Sequence, residues 1–135
     1  MDPLLETQRL DTAIDRIDHR RAQLEAGGEL RAAREAMEEA ESVLGEIRLG
    51  LDEVGRDQQR LEHEVDTMER KAAAERTRLY DGSIANPKEL ESLQREIDGI
   101  AQRKTRTEDE LLVVLERREE LEGRATVAAA AVDAA

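Results

Sequence analysis

Apolar residues recur with alternating spacings of three and four over about fifty residues in the middle of the chain. A repeat of about 3.5 residues holds one stripe of a helix against a partner helix, which is the signature of a coiled coil. Only Gln58 and Glu75 are polar among these positions. The first position of each repeat, a, is Leu30, Met37, Leu44, Leu51, Gln58, Val65, Ala72 and Leu79, and the fourth, d, is Ala33, Ala40, Ile47, Val54, Leu61, Met68 and Glu75.

A second stretch with the same spacing follows, with Lys104, Thr107 and Arg118 as its exceptions. Its a positions are Leu90, Ile97, Lys104, Leu111, Arg118, Ala125 and Val132, and its d positions are Leu93, Ile100, Thr107, Val114, Leu121, Ala128 and Ala135. We call the a and d positions of each stretch its seam. Folding the two stretches together places the seam of one against the seam of the other along their whole length, which favours an antiparallel pair within one chain over a parallel dimer. The facing pairs are then Leu79–Leu90, Val65–Lys104, Val54–Val114 and Ile47–Leu121.

The reversal between the two stretches carries a full set of helix-end signals. Gly82 stands where a helix C-terminus favours a residue that tolerates positive φ. Asn86 is a strong N-cap, Pro87 suits the first helical position, and Glu89 falls three residues after the cap, as in a capping box. We therefore predict the tip of a helical hairpin here.

An earlier apolar pattern, through Leu10, Ile14, Ile17 and Leu24, is out of phase with the long seam. Because each glycine costs a helix interior about 1 kcal/mol relative to Ala, the pair Gly27-Gly28 predicts a break between the two patterns. The predicted fold is all-α, a long antiparallel coiled-coil hairpin with an additional N-terminal helix. Residues 1–135 form a single coiled-coil domain with a helix at about 4–26, a break at 27–28, a helix at about 29–80, a tip loop at 81–86 and a helix at about 87–132.

The first helix has two alternative positions. Folded back at the glycine pair, it would bring Leu4 and Leu5 close to Leu112 and Leu115. Extended outward, it would lack a partner within the chain, and the alanine-rich end at 127–135, which has no helix stop signal, would suit a truncated version of a longer protein.

Composition and charge narrow the classes of function. Charged residues make up 40% of the chain and aromatic residues 1%, so a broad globular core is not expected. The net charge of −12 disfavours binding to nucleic-acid phosphates and to anionic membranes. No apolar run approaches the roughly 18 residues of a membrane span. The absence of cysteine fits a reducing compartment, and we expect a cytoplasmic protein without cofactors.

Several segments around the tip and along the last helix resemble one bacterial family. They are Leu79-Tyr80-Asp81-Gly82, Asn86-Pro87-Lys88-Glu89-Leu90, Leu93-Gln94-Arg95-Glu96-Ile97, Glu108-Asp109-Glu110-Leu111-Leu112 and Leu115-Glu116-Arg117-Arg118-Glu119-Glu120-Leu121. In order, they resemble the coiled-coil proteins that carry a C-terminal four-cysteine zinc ribbon. The resemblance implies a helical hairpin and a role as adaptor or chaperone for flagellar or type III secretion components, the alternative sigma factor of nitrogen regulation, or messenger RNA. Because this chain has no cysteine, zinc binding is not carried over.

Two groups of residues are candidate protein-binding sites. The first is the tip, with Tyr80, Ile84, Asn86, Pro87, Lys88 and Glu89, of which Tyr80, Ile84 and Lys88 are not needed for capping. The second is a helix-docking patch of Leu112, Val113 and Leu115, which are apolar but lie off the seam.

No set of residues has the arrangement of a catalytic site, so we expect a non-enzymatic adaptor that binds protein partners. The alternative is a nucleic-acid-linked regulator whose binding part, the zinc ribbon, is absent here. A homodimer is also left open. We expect His19 and His63 to be solvated surface residues and no residue to bind a metal.

Overall fold

The computed structural model describes residues 3–135, which form two helices. Helix α1 spans Pro3–Tyr80 and helix α2 spans Pro87–Ala134. The predicted all-α coiled-coil hairpin is confirmed. The tip loop and the start of α2 fall where the capping signals predicted them.

The predicted break at Gly27-Gly28 is wrong, because α1 continues through both glycines. Neither glycine has a positive φ. The physical reason is that a pair of glycines weakens a helix without supplying an alternative end. The segment between Leu24 and Leu30 contains no Ser, Thr, Asp or Asn side chain that could cap a restarted helix. The additional N-terminal helix is therefore the first part of α1, and it does not fold back.

The described residues divide into two compact units. One, Gly45–Thr126, holds the tip and the greater part of the hairpin; the other combines Met1–Leu44 with Val127–Ala135.

The unit Gly45–Thr126 is held together by the predicted seam. Leu61 of α1 and Ile100 of α2 are both 1% exposed and form its most deeply buried side chains. Thr107, a polar seam residue, is buried and satisfies its hydroxyl by donating to the Arg103 carbonyl oxygen over 3.0 Å. The other buried seam residues of this unit are Ile47, Val54, Ala72, Leu93, Ile97 and Leu121.

Contacts between the helices support the predicted register. Lys104, placed opposite Val65 by the seam pairing, has its Nζ 2.9 Å from Oε1 of Glu69, one turn further along α1. A Cβ on Gly50 would lie 3.4 Å from Cδ1 of Leu121, so the two helices approach closely at this level.

The unit formed by Met1–Leu44 and Val127–Ala135 has few buried residues. Leu44 and Ala128 are each 7% exposed, and Ala40 is half-buried. Every residue from 3 to 39 is exposed. The hairpin seam is therefore covered in this unit only from Ala40 onward along α1.

Candidate protein-interaction surfaces

The end of α1 is closed by a tight turn at the tip. Gly82 adopts a φ of 77°, which is the left-handed conformation expected after a helix C-terminus. Asp81 N donates to the Thr77 carbonyl oxygen over 2.9 Å, and Ser83 N donates to Oδ1 of Asp81 over 2.9 Å. These bonds provide partners for the backbone N–H groups of Asp81 and Ser83, and they fix where the chain reverses.

The start of α2 is capped by Asn86, as predicted, but with a different partner. Its Oδ1 accepts a hydrogen bond of 2.9 Å from Lys88 N, the second helical residue, instead of from Glu89 N. Its carbonyl oxygen accepts the first helical bond, from Leu90 N over 3.0 Å. Asn86 and Pro87 thus have a structural role at the tip: Asn86 caps helix α2 and Pro87 begins it.

The remaining tip residues differ in exposure. Tyr80 is 81% exposed, and Lys88 and Glu89 are also exposed. Ile84 is half-buried and lines a shallow groove that also includes Glu89 and Leu93. The side chains of Tyr80 and Lys88 are therefore the tip groups best placed to reach a partner.

The Asp81 carboxyl gives the tip a local negative charge, and its pKa lies below the ordinary value for an aspartate. Hydrogen bonding from the Ser83 hydroxyl, and then from the Ser83 backbone N–H, lowers the pKa of the Asp81 carboxyl, and the Arg78 guanidinium lowers it further. The Ser83 hydroxyl also lies 3.5 Å from the Arg78 carbonyl oxygen, so it can rotate between the two acceptors.

The docking patch on α2 is divided by the helix geometry. Leu112 and Leu115 are three residues apart and share one face of α2, where they are 58% and 37% exposed. Val113 is 65% exposed and lines a separate shallow groove that includes Gly50 and Val54 of α1. The structure therefore places Leu112 and Leu115 together, which we call the Leu112/Leu115 pair, and sets Val113 apart.

Most of the charged residues bordering the Leu112/Leu115 pair at helical spacing are acidic, a feature that the sequence interpretation missed; the basic exception is Arg118, three residues after Leu115. Glu108 and Asp109 lie one turn before Leu112, Glu116 one turn after it, and Glu119 one turn after Leu115. All four are exposed. The i±3 and i±4 spacing in the sequence was a sufficient signal for this border, once these residues were known to be helical.

A second exposed apolar surface lies near the start of α1. Leu10, Ile14, Ile17 and Leu24 are between 54% and 70% exposed. We call these four residues the N-terminal stripe. Because α1 is continuous, their offset in phase from the seam becomes an angle around one helix. Leu24 and Ala33 are nine residues, or about two and a half turns, apart, so the stripe and the seam lie on opposite faces.

The described residues 3–135 contain no group of three or more His, Cys, Asp and Glu side chains arranged to hold a metal ion. No helix among them has a segment of the length and apolarity needed to cross a bilayer.

Similar proteins were found in mycobacteria. The chain is 31% identical over 131 residues to the uncharacterized proteins MT2288 and Rv2229c of two Mycobacterium tuberculosis strains, CDC 1551 / Oshkosh and ATCC 25618 / H37Rv. The matched region covers 97% of this chain and 53% of each relative, so the chain spans about half the length of the curated relatives it matches. No solved structure gives a significant match. Residues 7–135 match the CT398-like coiled coil hairpin domain, and the chain belongs to that family.

Proposed function

We propose that this chain is a non-enzymatic protein-interaction module that binds a helical segment of a partner protein at the Leu112/Leu115 pair. The observation that carries the proposal is the exposure of these two large aliphatic side chains, 58% and 37%, on a helix whose seam residues from Leu90 to Val132 are buried or half-buried, apart from Arg118. Apolar side chains off a completed seam commonly mark a further contact. The seam would supply a rigid support, and the pair would supply the binding surface.

The chemistry around the pair indicates the kind of partner. An amphipathic helix recognises such a surface through apolar anchors at i, i+3 or i+4 spacing. Glu108, Asp109, Glu116 and Glu119 would favour a partner helix whose apolar face is bordered by Lys or Arg. The net charge of −12 would attract a basic partner over a longer range and makes association sensitive to salt.

The tip is the alternative location for the same function. Tyr80 offers an exposed aromatic ring and Lys88 an exposed ammonium group, and neither side chain is part of the capping bonds. Aromatic side chains often anchor protein interfaces. A tip site would bind the end of the hairpin and not its flank.

Capture with the immobilised full chain distinguishes these locations. A protein would be captured from an extract of the source organism, identified by mass spectrometry, purified and titrated against three variants. Leu112→Glu with Leu115→Glu should weaken binding at least tenfold, by removing apolar contacts and adding like charge next to the acidic border. The matched control is Leu49→Glu, at an α1 side chain that is 70% exposed. Binding should also weaken as salt is raised.

The third variant, Tyr80→Ala with Lys88→Ala, reports on the tip. Loss of binding in this variant alone would move the site to the tip. Unchanged binding in both the pair and the tip variants would contradict the proposal. A gel shift with RNA at low salt tests the nucleic-acid alternative, for which the charge of −12 leads us to expect no shift.

A further inference from the structure

We propose that the partner helix lies along the groove between α1 and α2 and contacts both helices, with Lys or Arg side chains on both edges of its apolar face. This inference rests on the proposed function, because it concerns the partner of the Leu112/Leu115 pair. It adds a second wall to the binding surface, formed by residues of α1 on the same side of the hairpin. The surface would then belong to both helices and not to α2 alone.

Ion pairs distinguish two sides of the hairpin. Lys104 Nζ lies 2.9 Å from Oε1 of Glu69 on α1 and 3.9 Å from Oε1 of Glu108 on α2, so these two carboxylates flank the seam on one side. Lys71 Nζ lies 3.8 Å from Oε1 of Glu96 on the other side. Glu69 and Glu108 directly follow d positions, which are called e, whereas Lys71 and Glu96 directly precede a positions, which are called g. We name the two sides the e side and the g side.

Leu115 lies on the e side, and Gly55 of α1 lies opposite it. Both occupy e positions. A Cβ on Gly50 would lie 3.4 Å from Cδ1 of Leu121, so these two residues are at the same level of the antiparallel pair. Gly55 is five residues after Gly50, and Leu115 is six residues before Leu121, which keeps Gly55 and Leu115 nearly level. Leu112, three residues before Leu115, adjoins it on the outer edge of the same side.

Gly55 leaves a depression beside the two exposed leucines. It is half-buried, and an added Cβ would meet nothing within 4 Å. Gly50 differs, because its close packing against Leu121 accounts for a small residue there. Glycine weakens a helix interior, and no contact among the described residues calls for one at position 55. Close approach of a partner helix is the role that the geometry assigns to it.

The balance of charge differs between the two sides of residues 45–69 and 101–126. The e positions and those three or four residues outward from them carry seven acidic residues and one basic residue, Arg48. The g side, counted in the same way, carries six acidic and five basic residues. Two seam cations also reach the e side, Lys104 beside Glu69 and Arg118 beside Glu122, and the acids there still outnumber the bases by four. The e-side acids are Asp52, Glu62, Asp66, Glu69, Glu108, Glu119 and Glu122. The g-side acids are Glu46, Glu53, Asp57, Glu64, Glu110 and Glu120, and the bases are Arg60, Arg103, Arg106, Arg117 and Arg124.

Acids on both walls of the e-side groove define the partner. Asp52 and Glu62 stand on α1, and Glu119 stands on α2. All three are exposed, and among the described residues 3–135 none of the three carboxylates forms an ion pair. A helix whose apolar residues rest on Leu112, Leu115 and the depression at Gly55 would place its two edges against these carboxylates. Positive side chains on both edges would therefore be complementary to the groove.

A synthetic amphipathic peptide tests the seating. It contains three heptads with leucine at a and d, lysine at e and g, and alanine elsewhere, and its binding to the full chain is followed by fluorescence anisotropy at physiological salt. Asp52→Lys with Glu62→Lys should weaken binding at least tenfold. Glu46→Lys with Glu53→Lys changes the net charge equally on the g side of α1 and should weaken binding less than about threefold. Circular dichroism should show unchanged helix content in both variants, since all four residues are exposed.

Blocking the depression tests the close approach. Gly55→Arg should weaken peptide binding at least tenfold, by adding both bulk and positive charge to the groove. The matched control is Gly99→Arg, at a half-buried helical glycine three residues after Glu96, where an added Cβ also meets nothing within 4 Å. This variant should bind the peptide as the parent chain does.

The outcomes separate this inference from the proposed function. If Leu112→Glu with Leu115→Glu weakens binding while the Asp52/Glu62 and Gly55 variants do not, the partner contacts α2 alone. The proposed function would then stand and the groove would be excluded. Equal loss in the e-side and g-side variants would reduce the effect to net charge and would also overturn the inference. No binding of the peptide to the parent chain would overturn it as well, whereas binding that none of these substitutions affects, including those at Leu112 and Leu115, would contradict both proposals.

Discussion

Arg118 Nη1 donates a hydrogen bond of 2.6 Å to Oε1 of Gln58, a residue 60 positions earlier in the chain. Both residues occupy a positions of the seam. Gln58 Nε2 also donates to Glu62, and Arg118 Nε donates to Glu122, each over 2.9 Å. The result is a polar bridge between α1 and α2 within an otherwise largely apolar seam. A polar a position commonly fixes register at some loss of stability, and we assign that role to this pair.

Replacing both members of the bridge should stabilise the hairpin while loosening its register. Gln58→Leu with Arg118→Leu should raise the free energy of unfolding by about 1 kcal/mol, because a polar residue at an a position lowers coiled-coil stability and leucine there adds apolar burial. Urea unfolding followed by circular dichroism measures this change. The register is checked by a disulfide between cysteines introduced at Val54 and Val114, which should form less completely in the double leucine variant. A less stable double variant would contradict the assignment.

The same leucine-to-alanine change should have very different effects at two positions of α1. Leu61 is 1% exposed in the seam, so Leu61→Ala should lower the free energy of unfolding by about 2–5 kcal/mol through lost burial and a cavity. Leu30 is 61% exposed, and Leu30→Ala should change the free energy of unfolding by at most about 0.5 kcal/mol. Thermal and urea unfolding measure both. Equal effects would mean that Leu30 is covered in solution.

Substitution of glycine by alanine should destabilise the fold at Gly82 and stabilise it at Gly28. Gly82→Ala should destabilise the tip by about 1–2 kcal/mol, because its φ of 77° strains a residue with a Cβ. Gly28→Ala should instead stabilise α1 by about 1 kcal/mol, since Gly28 is helical and an added Cβ would meet nothing within 4 Å. Hydrogen exchange of the backbone around each position detects these local changes. A destabilising Gly28→Ala would indicate a non-helical conformation there.

Acid should weaken the tip through Asp81. Its pKa is lowered in the folded chain by hydrogen bonds from Ser83. A lowered folded pKa contributes stability that is fully present above the unfolded value, about 4, and that is lost as the pH falls through the folded value. An NMR titration of the Asp81 carboxyl should give a pKa below its ordinary value, and Ser83→Ala should raise it. Ser92→Ala, further along α2, serves as the control and should leave the Asp81 pKa unchanged.

The hairpin could be predicted from sequence because the apolar spacing and the residues at the helix ends indicate the same structure. The seam spacing gives the helices, and Gly82, Asn86 and Pro87 give the reversal between them. The continuity at Gly27-Gly28 could not be read from propensity alone, because a helix ends only where another conformation satisfies its backbone better. That segment lacks the capping side chains that are present at the tip.

The candidate site was only partly predictable. Leu112 and Leu115 could be singled out because they are apolar and lie off the seam. Their separation from Val113 depends on the position of each residue around α2 relative to α1, which becomes definite only with the helix packing. The acidic border follows from the same geometry.

Because α1 is continuous through Gly27-Gly28, the number of residues between the N-terminal stripe and the seam sets the angle between these two apolar faces around the helix axis. Each residue of an α-helix turns the chain by about 100°, so one inserted alanine would rotate the N-terminal stripe by that angle about the helix axis while leaving both faces chemically intact. Seven inserted residues would nearly restore the original direction and lengthen the separation by about 10 Å. The short segment at 27–28 thus acts as an angular spacer, and its length sets the direction in which a molecule bound to the stripe would point.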